Sequence, residues 1–434
     1  MPLPDAIALR APAPFDVSLR PPGSKSLSNR ALLLAALASG RSMLHGLLDA
    51  DDTRHMRACL GALGIAVAEL GPDQLAVDGG AGPLRSPDDQ VVTLDVGTAG
   101  TVARLLGAAL AASPVHVVLD GSPRMRERPM QQLLDALSEQ GARLRFGGEP
   151  GFLPVEIGPN GPRLSGGELR LARPASSQIV SGLVVAATLA SAPTRIVLEQ
   201  GTPARPYVDM TLAVLGRFGG RAQWVDDDVL QVEPAGLHAV DYVVEPDASA
   251  ASYPLGLAAR YGSRCRIEAL GRRSLQGDVG FAEVLGRMGA RVEQGDDHTV
   301  VQGTGSLRGG DFDLTAMPDM TLTLAALAVH ATGPTRIRGV GILRHHESDR
   351  LAAAATELRK LGARVHEHPD GLEIEPPSGG PRRGVAIDTY LDHRMAMAFS
   401  LVGDVVVRDP GCVAKTWPEY FSVLRKLGMV VGSG

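Results

Sequence analysis

The pattern Leu-x-x-x-Gly followed by a short β-like run occurs six times, at Leu60–Gly64, Leu137–Gly141, Leu215–Gly219, Leu285–Gly289, Leu358–Gly362 and Leu424–Gly428. A helix that ends with Gly at C′ reads this way, because glycine adopts the left-handed conformation at little cost. One such match is commonplace. Six that recur about every 70 residues mark an internal repeat, which constrains the fold more than any local propensity does.

A second series keeps the same beat. Polar helix heads stand at Lys25, Thr101, Ser177, Ser249, Asp319 and Asp392, and each precedes an apolar helix-like run such as Ile179–Ala190 or Leu322–Ala328. The repeating unit is therefore a polar-headed helix, a strand, a second helix ending in Leu-x-x-x-Gly, and more strands. Six units over 434 residues exceed one ordinary core and divide as three plus three, with a boundary near Asp241–Pro246. Gly309–Asp311 and Ser378–Arg383 read as hairpin or surface turns. Three equivalent helices running the same way in each lobe would bring three positive helix ends to one face.

The first head, Leu19-Arg-Pro-Pro-Gly-Ser-Lys-Ser-Leu-Ser-Asn-Arg30, has the make-up of an anion socket. A prolyl-glycyl turn places Ser24, Lys25, Ser26 and Arg30 at the start of an apolar helix, whose free N–H groups and dipole favour a carboxylate or phosphate. The alternative at this stretch is a Ser N-cap beside two solvated cations. Further cations sit near other heads: Arg104; Arg124, Arg126 and Arg128 in Pro-Arg-Met-Arg-Glu-Arg-Pro; and Arg350, Arg394 and Lys415. Arginine's planar fork suits small polyanions. Asp319, Glu347 and Asp392 are the carboxylates in this basic setting; ionised, one of them suits a general base, although Asp is also a good N-cap.

Several classes lack support. Net charge is −5 and aromatic residues are 4%, which disfavours general nucleic-acid binding and base-stacking platforms. Cys59, Cys265 and Cys412 form neither a disulfide framework nor a CxxC site, and read as buried thiols in a reducing compartment. No apolar run reaches the ~18 residues of a membrane span and the start lacks a signal-peptide pattern, so a cytoplasmic, unanchored protein is expected. Walker A, HExxH and GxSxG patterns are missing, and His345-His346 is a weak metal pair.

Seven motifs in order now carry a resemblance: Pro-Gly-Ser-Lys-Ser-Leu-Ser-Asn-Arg, Gly-Thr-Ala-Gly-Thr, Pro-Arg-Met-Arg-Glu-Arg-Pro, Ser-Ser-Gln, Glu-Ser-Asp-Arg-Leu, Asp-His-Arg-Met-Ala-Met and Ala-Lys-Thr-Trp-Pro-Glu-Tyr. Over essentially its whole length the chain resembles the 5-enolpyruvylshikimate-3-phosphate synthases of the shikimate pathway. The resemblance implies an α/β protein of the enolpyruvyl transferase fold, with two similar lobes of three βαβαββ-like units each. Residues 24–244 would form the first lobe, and 1–23 with 245–434 the second, with the active site in the cleft between them. It implies transfer of enolpyruvyl from phosphoenolpyruvate to the 5-hydroxyl of shikimate 3-phosphate by a monomer that uses no metal or organic cofactor and binds neither nucleic acid nor membrane. Lys25 would contact both substrates. Ser26, Arg30, Ser176, Ser177, Gln178, Tyr207 and Asp319 would hold shikimate 3-phosphate, and Gly100, Arg124, Arg350, Arg394 and Lys415 phosphoenolpyruvate, with Thr101 and His346 also in the site. Asp319 would take the hydroxyl proton, with Lys25 and Glu347 as candidates for protonating the methylene carbon.

Five positions depart from the commonest family pattern: Thr98 for Asn, Ala204 for a phosphate-binding Ser, Ile342 for a substrate-binding Asn, Leu105 for Pro, and His346 for Lys. Leu105 means that glyphosate sensitivity does not carry over by resemblance alone. His346 would replace a permanent cation by one of ordinary pKa ~6.5, so substrate binding is expected to weaken as pH rises past neutrality. The nearest rival reading is enolpyruvyl transfer to UDP-N-acetylglucosamine, whose enzymes usually carry a reactive Cys in the loop matching Asp120–Arg128, where this chain has none. A non-catalytic anion-binding protein is the other rival.

Overall fold

The computed structural model describes residues 3–87, 91–158 and 163–431. Residues 88–90 and 159–162 of the expected first lobe, and 1, 2 and 432–434 of the second, lie outside them. The polar heads stand at the starts of α1 (Lys25–Leu37), α2 (Gly100–Ala111), α3 (Ser177–Ala187), α4 (Ala248–Arg260) and α6 (His393–Phe399), and Asp319 stands just ahead of α5 (Thr321–Ala328) in the short 3-10 turn Pro318–Met320. Ser24, Ser176, Asp247 and Asp392 accept main-chain N–H bonds as N-caps of α1, α3, α4 and α6. Every residue of α2 and α5 is buried, which explains why these runs are mostly apolar, with Thr101 and Arg104 at the head of α2 the polar exceptions in that helix. The second helix of each unit has a polar outer face, as in Asp51–Ala62 and Arg350–Lys360.

All six repeat glycines are left-handed, with φ of 79°, 101°, 85°, 109°, 97° and 73° at Gly64, Gly141, Gly219, Gly289, Gly362 and Gly428. The strands follow one plan. Val92–Asp95 pairs parallel with Val117–Asp120, which pairs antiparallel with Val155–Ile157, which pairs antiparallel with Leu144–Phe146. Among the described residues, five sheets have four strands and the sixth three. Two sheets take their leading strand from far along the chain: Asp241–Val243 pairs parallel with Ser39–His45, and Asp16–Leu19 pairs parallel with Arg264–Glu268.

Gly309–Asp311 is a correction. Instead of a turn, it lies inside the strand Leu307–Asp313, at a register shift between Arg308 and Gly310. A Cβ at Gly309 would meet the Pro334 carbonyl oxygen at 2.1 Å, so glycine here permits close approach of the neighbouring strand.

The chain forms two compact units, Gly23–Glu245 and Met1–Pro22 with Pro246–Gly434. Each has its own core, built around α1, α2 and α3 in one and α4, α5 and α6 in the other. Burial of each Leu or Val side chain contributes roughly 1.5–3 kcal/mol. Cys59 and Cys265 are buried free thiols, each pushed up to about 12 by burial.

Candidate functional site

In the unit Gly23–Glu245 the three helix heads are tied together by side chains. Arg30 leaves α1 and donates through Nε to Thr211 Oγ1 (2.7 Å), through Nη1 to the Ser26 carbonyl (2.9 Å), and through Nη2 to Ser181 Oγ (3.3 Å) and the Tyr207 carbonyl (2.9 Å). Among the described residues, four of its five N–H groups are thus spent on the protein, leaving one on Nη1. Burial pushes the Arg30 guanidinium down to about 10, with Tyr207 and Tyr242 pulling it back up, so it stays charged at neutral pH. Lys25 Nζ lies 3.6 Å from the buried Asp52 carboxylate. Gln178 joins two heads, accepting from Arg104 Nη1 at 3.1 Å and donating to Thr101 Oγ1 at 3.3 Å, and Arg104 also donates to the Gly100 carbonyl at 3.2 Å. Ser176 caps α3 by accepting from the Gln178 N–H at 3.2 Å, and Ser177 is buried beside it.

The three arginines of Pro-Arg-Met-Arg-Glu-Arg-Pro go to different places. Arg124 pairs with Glu127 at 2.7 Å and is 36% exposed, and Arg126 pairs with Asp120 across the surface. Arg128, 4% exposed, donates to the Thr98 carbonyl at 3.2 Å and covers Gly100, where a Cβ would meet its Nη2 at 2.5 Å. The arginine packed on Gly100 is therefore Arg128, while Arg124, expected to hold phosphoenolpyruvate, stands at the more exposed end of the motif. Nothing local in the motif separates the three; the packing on Gly100 does.

In the other unit the cluster is denser. Asp319, ahead of α5, accepts from Arg350 Nη1 at 3.0 Å and from Arg394 Nη2 at 2.7 Å. Arg350 also donates through Nε and Nη2 to Asp392 (2.8 and 3.2 Å) and through Nη2 to Glu347 (2.9 Å). Lys415 Nζ lies 3.0 Å from Glu347 Oε1. Burial lowers the pKa of Arg350, but Asp392, Glu347 and Asp319 outweigh it and raise it above the ordinary value. Asp319, Glu347 and Asp392 interleave here with Arg350, Arg394 and Lys415, all nearly out of solvent; such a site favours small anions that replace one charged partner by another.

His346 joins the same cluster. Its Nδ1 lies 3.0 Å from Arg350 Nη1 and 4.0 Å from the Glu347 carboxylate. Ile342 packs against the apolar core of this unit. Ser249, read from the sequence as a helix head and not as a site residue, joins the cluster, and sequence reading missed Asp278 altogether: Arg394 Nη2 reaches Ser249 Oγ at 3.3 Å, and that hydroxyl donates to the buried Asp278. Asp278 lies in the short 3-10 helix Gly277–Gly280, outside the six repeat heads. Among the described residues no group of three or more His, Cys, Asp or Glu is disposed to hold a metal ion.

The sequence model of a family described as EPSP synthase (3-phosphoshikimate 1-carboxyvinyltransferase) matches residues 9–424. Proteins named 3-phosphoshikimate 1-carboxyvinyltransferase from Serratia proteamaculans and Thiobacillus denitrificans are 41% identical over 434 residues and 44% identical over 425 residues. These alignments cover 98% of this chain and 99% of the Serratia protein, and 94% of this chain and 96% of the Thiobacillus protein. A solved EPSP synthase from Acinetobacter baumannii superposes with a TM-score of 0.79 at 25% identity, covering 97% of this chain and 98% of its own. The enolpyruvyl transferase NikO from Streptomyces tendae shares the fold, with a TM-score of 0.77 at 20% identity and coverage of 99% and 100%.

Proposed function

The chain belongs to the EPSP synthase (3-phosphoshikimate 1-carboxyvinyltransferase) family, and on that premise we propose that it transfers the enolpyruvyl group of phosphoenolpyruvate to the 5-hydroxyl of shikimate 3-phosphate. The observation that carries the residue roles is the Asp319 carboxylate held between Arg350 and Arg394 at 3.0 and 2.7 Å. Both units contribute residues to the one reaction. Lys25, Ser26, Ser176, Ser177, Gln178 and Tyr207, with the remaining N–H of Arg30, engage shikimate 3-phosphate. Arg124, Arg350, Arg394 and Lys415 engage phosphoenolpyruvate beside Gly100 and Thr101, with Arg128 packed on Gly100. His346 stands against Arg350.

The reaction is addition followed by elimination. The 5-hydroxyl oxygen bonds to the enol carbon, its proton passes to Asp319, and the methylene carbon gains a proton from Lys25 or Glu347. Return of a proton from that carbon to the same group, with cleavage of the C–O bond to inorganic phosphate, restores the double bond from the tetrahedral adduct. The cations fix two polyanions against each other before any bond forms. Two buried high-pKa thiols fit a reducing, cytoplasmic setting, and none of the helices among the described residues is long and apolar enough to cross a membrane. We place the protein there as a monomer.

The test is phosphate release from phosphoenolpyruvate with each acceptor. Release that depends on shikimate 3-phosphate and does not occur with UDP-N-acetylglucosamine is expected. Release with the nucleotide sugar alone, or with neither, overturns the reading.

A further inference from the structure

Tyr390 and Leu391 both hold left-handed backbone, at φ of 54° and 56°. A side chain crowds the following carbonyl in that region, and glycine or asparagine is the usual occupant. Burial does not impose the conformation, because Leu391 is 75% and Tyr390 41% exposed. The two residues make a turn, closed by the Asp392 N–H donating to the Thr389 carbonyl at 2.8 Å. Asp392 emerges from it fully buried. There it accepts from the Arg394 N–H at 3.0 Å at the start of α6 and grips Arg350 through two hydrogen bonds.

The same segment is fastened a second time, at the far end of the Arg350–Lys360 helix. Glu357, fully buried, accepts from the Tyr390 hydroxyl at 2.8 Å and from the Asp388 main-chain N–H at 3.2 Å. Lys360 bridges Glu357 at 2.8 Å and Asp388 at 2.6 Å. Arg350 and Glu357 are two turns apart, about 10 Å along the axis. One helix therefore holds the strained turn on both sides, and Glu357 is a buried carboxylate that the reaction does not use.

We propose that Tyr390 and Glu357 are positioning residues, a latch that holds the Tyr390–Leu391 turn in its left-handed form so that Asp392 and Arg394 stand in register with Arg350 and Asp319. Neither latch residue touches the anion cluster; both act through Asp392. The kinetic consequence rests on the proposed function, since it is read in phosphoenolpyruvate binding.

Tyr390→Phe removes one hydroxyl and keeps the ring. It is expected to raise KM for phosphoenolpyruvate about tenfold, with kcat within about twofold and KM for shikimate 3-phosphate unchanged. Adding Leu391→Gly is expected to restore KM to within about threefold, because glycine holds the turn without the latch. Exchange of the Asp392 and Arg394 amide hydrogens follows the same order, about tenfold faster in Tyr390→Phe and recovered in the double variant, and this reading does not require turnover. An unchanged KM and unchanged exchange in Tyr390→Phe overturn the latch. A double variant no better than Tyr390→Phe overturns the role of strain. Absent turnover in the unmodified chain instead counts against the proposed function, and the exchange measurement still decides the latch.

Discussion

Arg128 and Arg124 share one short motif and differ in everything but side chain. Removing Arg128 would strip a buried charge from the wall at Gly100, and Arg128→Ala is expected to raise KM for phosphoenolpyruvate by roughly 10- to 100-fold, as loss of a charge-assisted hydrogen bond does. Arg124→Ala, which among other changes breaks the pair with Glu127 at the more exposed end of the motif, is expected to raise KM less, by about three- to tenfold. Steady-state kinetics with both variants measures the two effects. A second residue-scale prediction concerns His330, whose ring nitrogen lies 3.2 Å from the Val402 carbonyl and whose pKa is lowered to about 3, by burial first and by Arg260 second. The folded state thus binds fewer protons than the unfolded chain between pH 6.5 and 3. Stability falls as pH drops through that window, by at most about 1.4 kcal/mol per pH unit from this group, and is unaffected above it. Urea midpoints at pH 7 and 5 should show that slope lessened in His330→Gln. At this scale the sequence exposed the charged residues of the site but not their pairing. Arg30 reads in the sequence as a ligand cation and also ties helices together, and His346 reads as an isolated cation and lies against Arg350. Such roles depend on which atoms meet from distant parts of the chain, which no local pattern encodes.

At the scale of elements, the repeat was legible because its punctuation is local. A helix head needs a side-chain cap and a helix end needs left-handed backbone, so Ser, Asp and Gly recur at fixed offsets whatever the tertiary fold. Gly141 isolates that requirement: its φ is 101° and a Cβ there would meet nothing within 4 Å. Gly141→Ala is expected to cost about 1 kcal/mol through backbone strain alone. Gly216, inside the helix Pro206–Arg217 and equally open, gives the opposite sign, since Gly216→Ala should gain roughly 0.5–1 kcal/mol. Denaturant unfolding of the two variants measures both. Strand pairing was less legible. Gly309 resembled a turn because close backbone approach and chain reversal select the same residue, and the long-range origin of the leading strands Asp16–Leu19 and Asp241–Val243 left no mark in their own composition.

The whole molecule carries a net charge of −5, yet each of its two units gathers cations at its helix heads. Crossings of the chain between the units are held within each: the Ser24 N–H donates to the Glu245 carbonyl and the Asp247 N–H to the Pro22 carbonyl, both at 2.8 Å. Six copies of one supersecondary plan each contribute a helix head, which is why the polar motifs are spread over nearly the whole chain. The central claim is that Lys25, from one unit, and Asp319, from the other, act in a single reaction. It is tested most directly by measuring phosphate release driven by shikimate 3-phosphate in Lys25→Met and Asp319→Ala, each checked for folding by its melting curve. The account predicts that each change alone lowers kcat by about 10²- to 10⁴-fold; full turnover in either folded variant would contradict it.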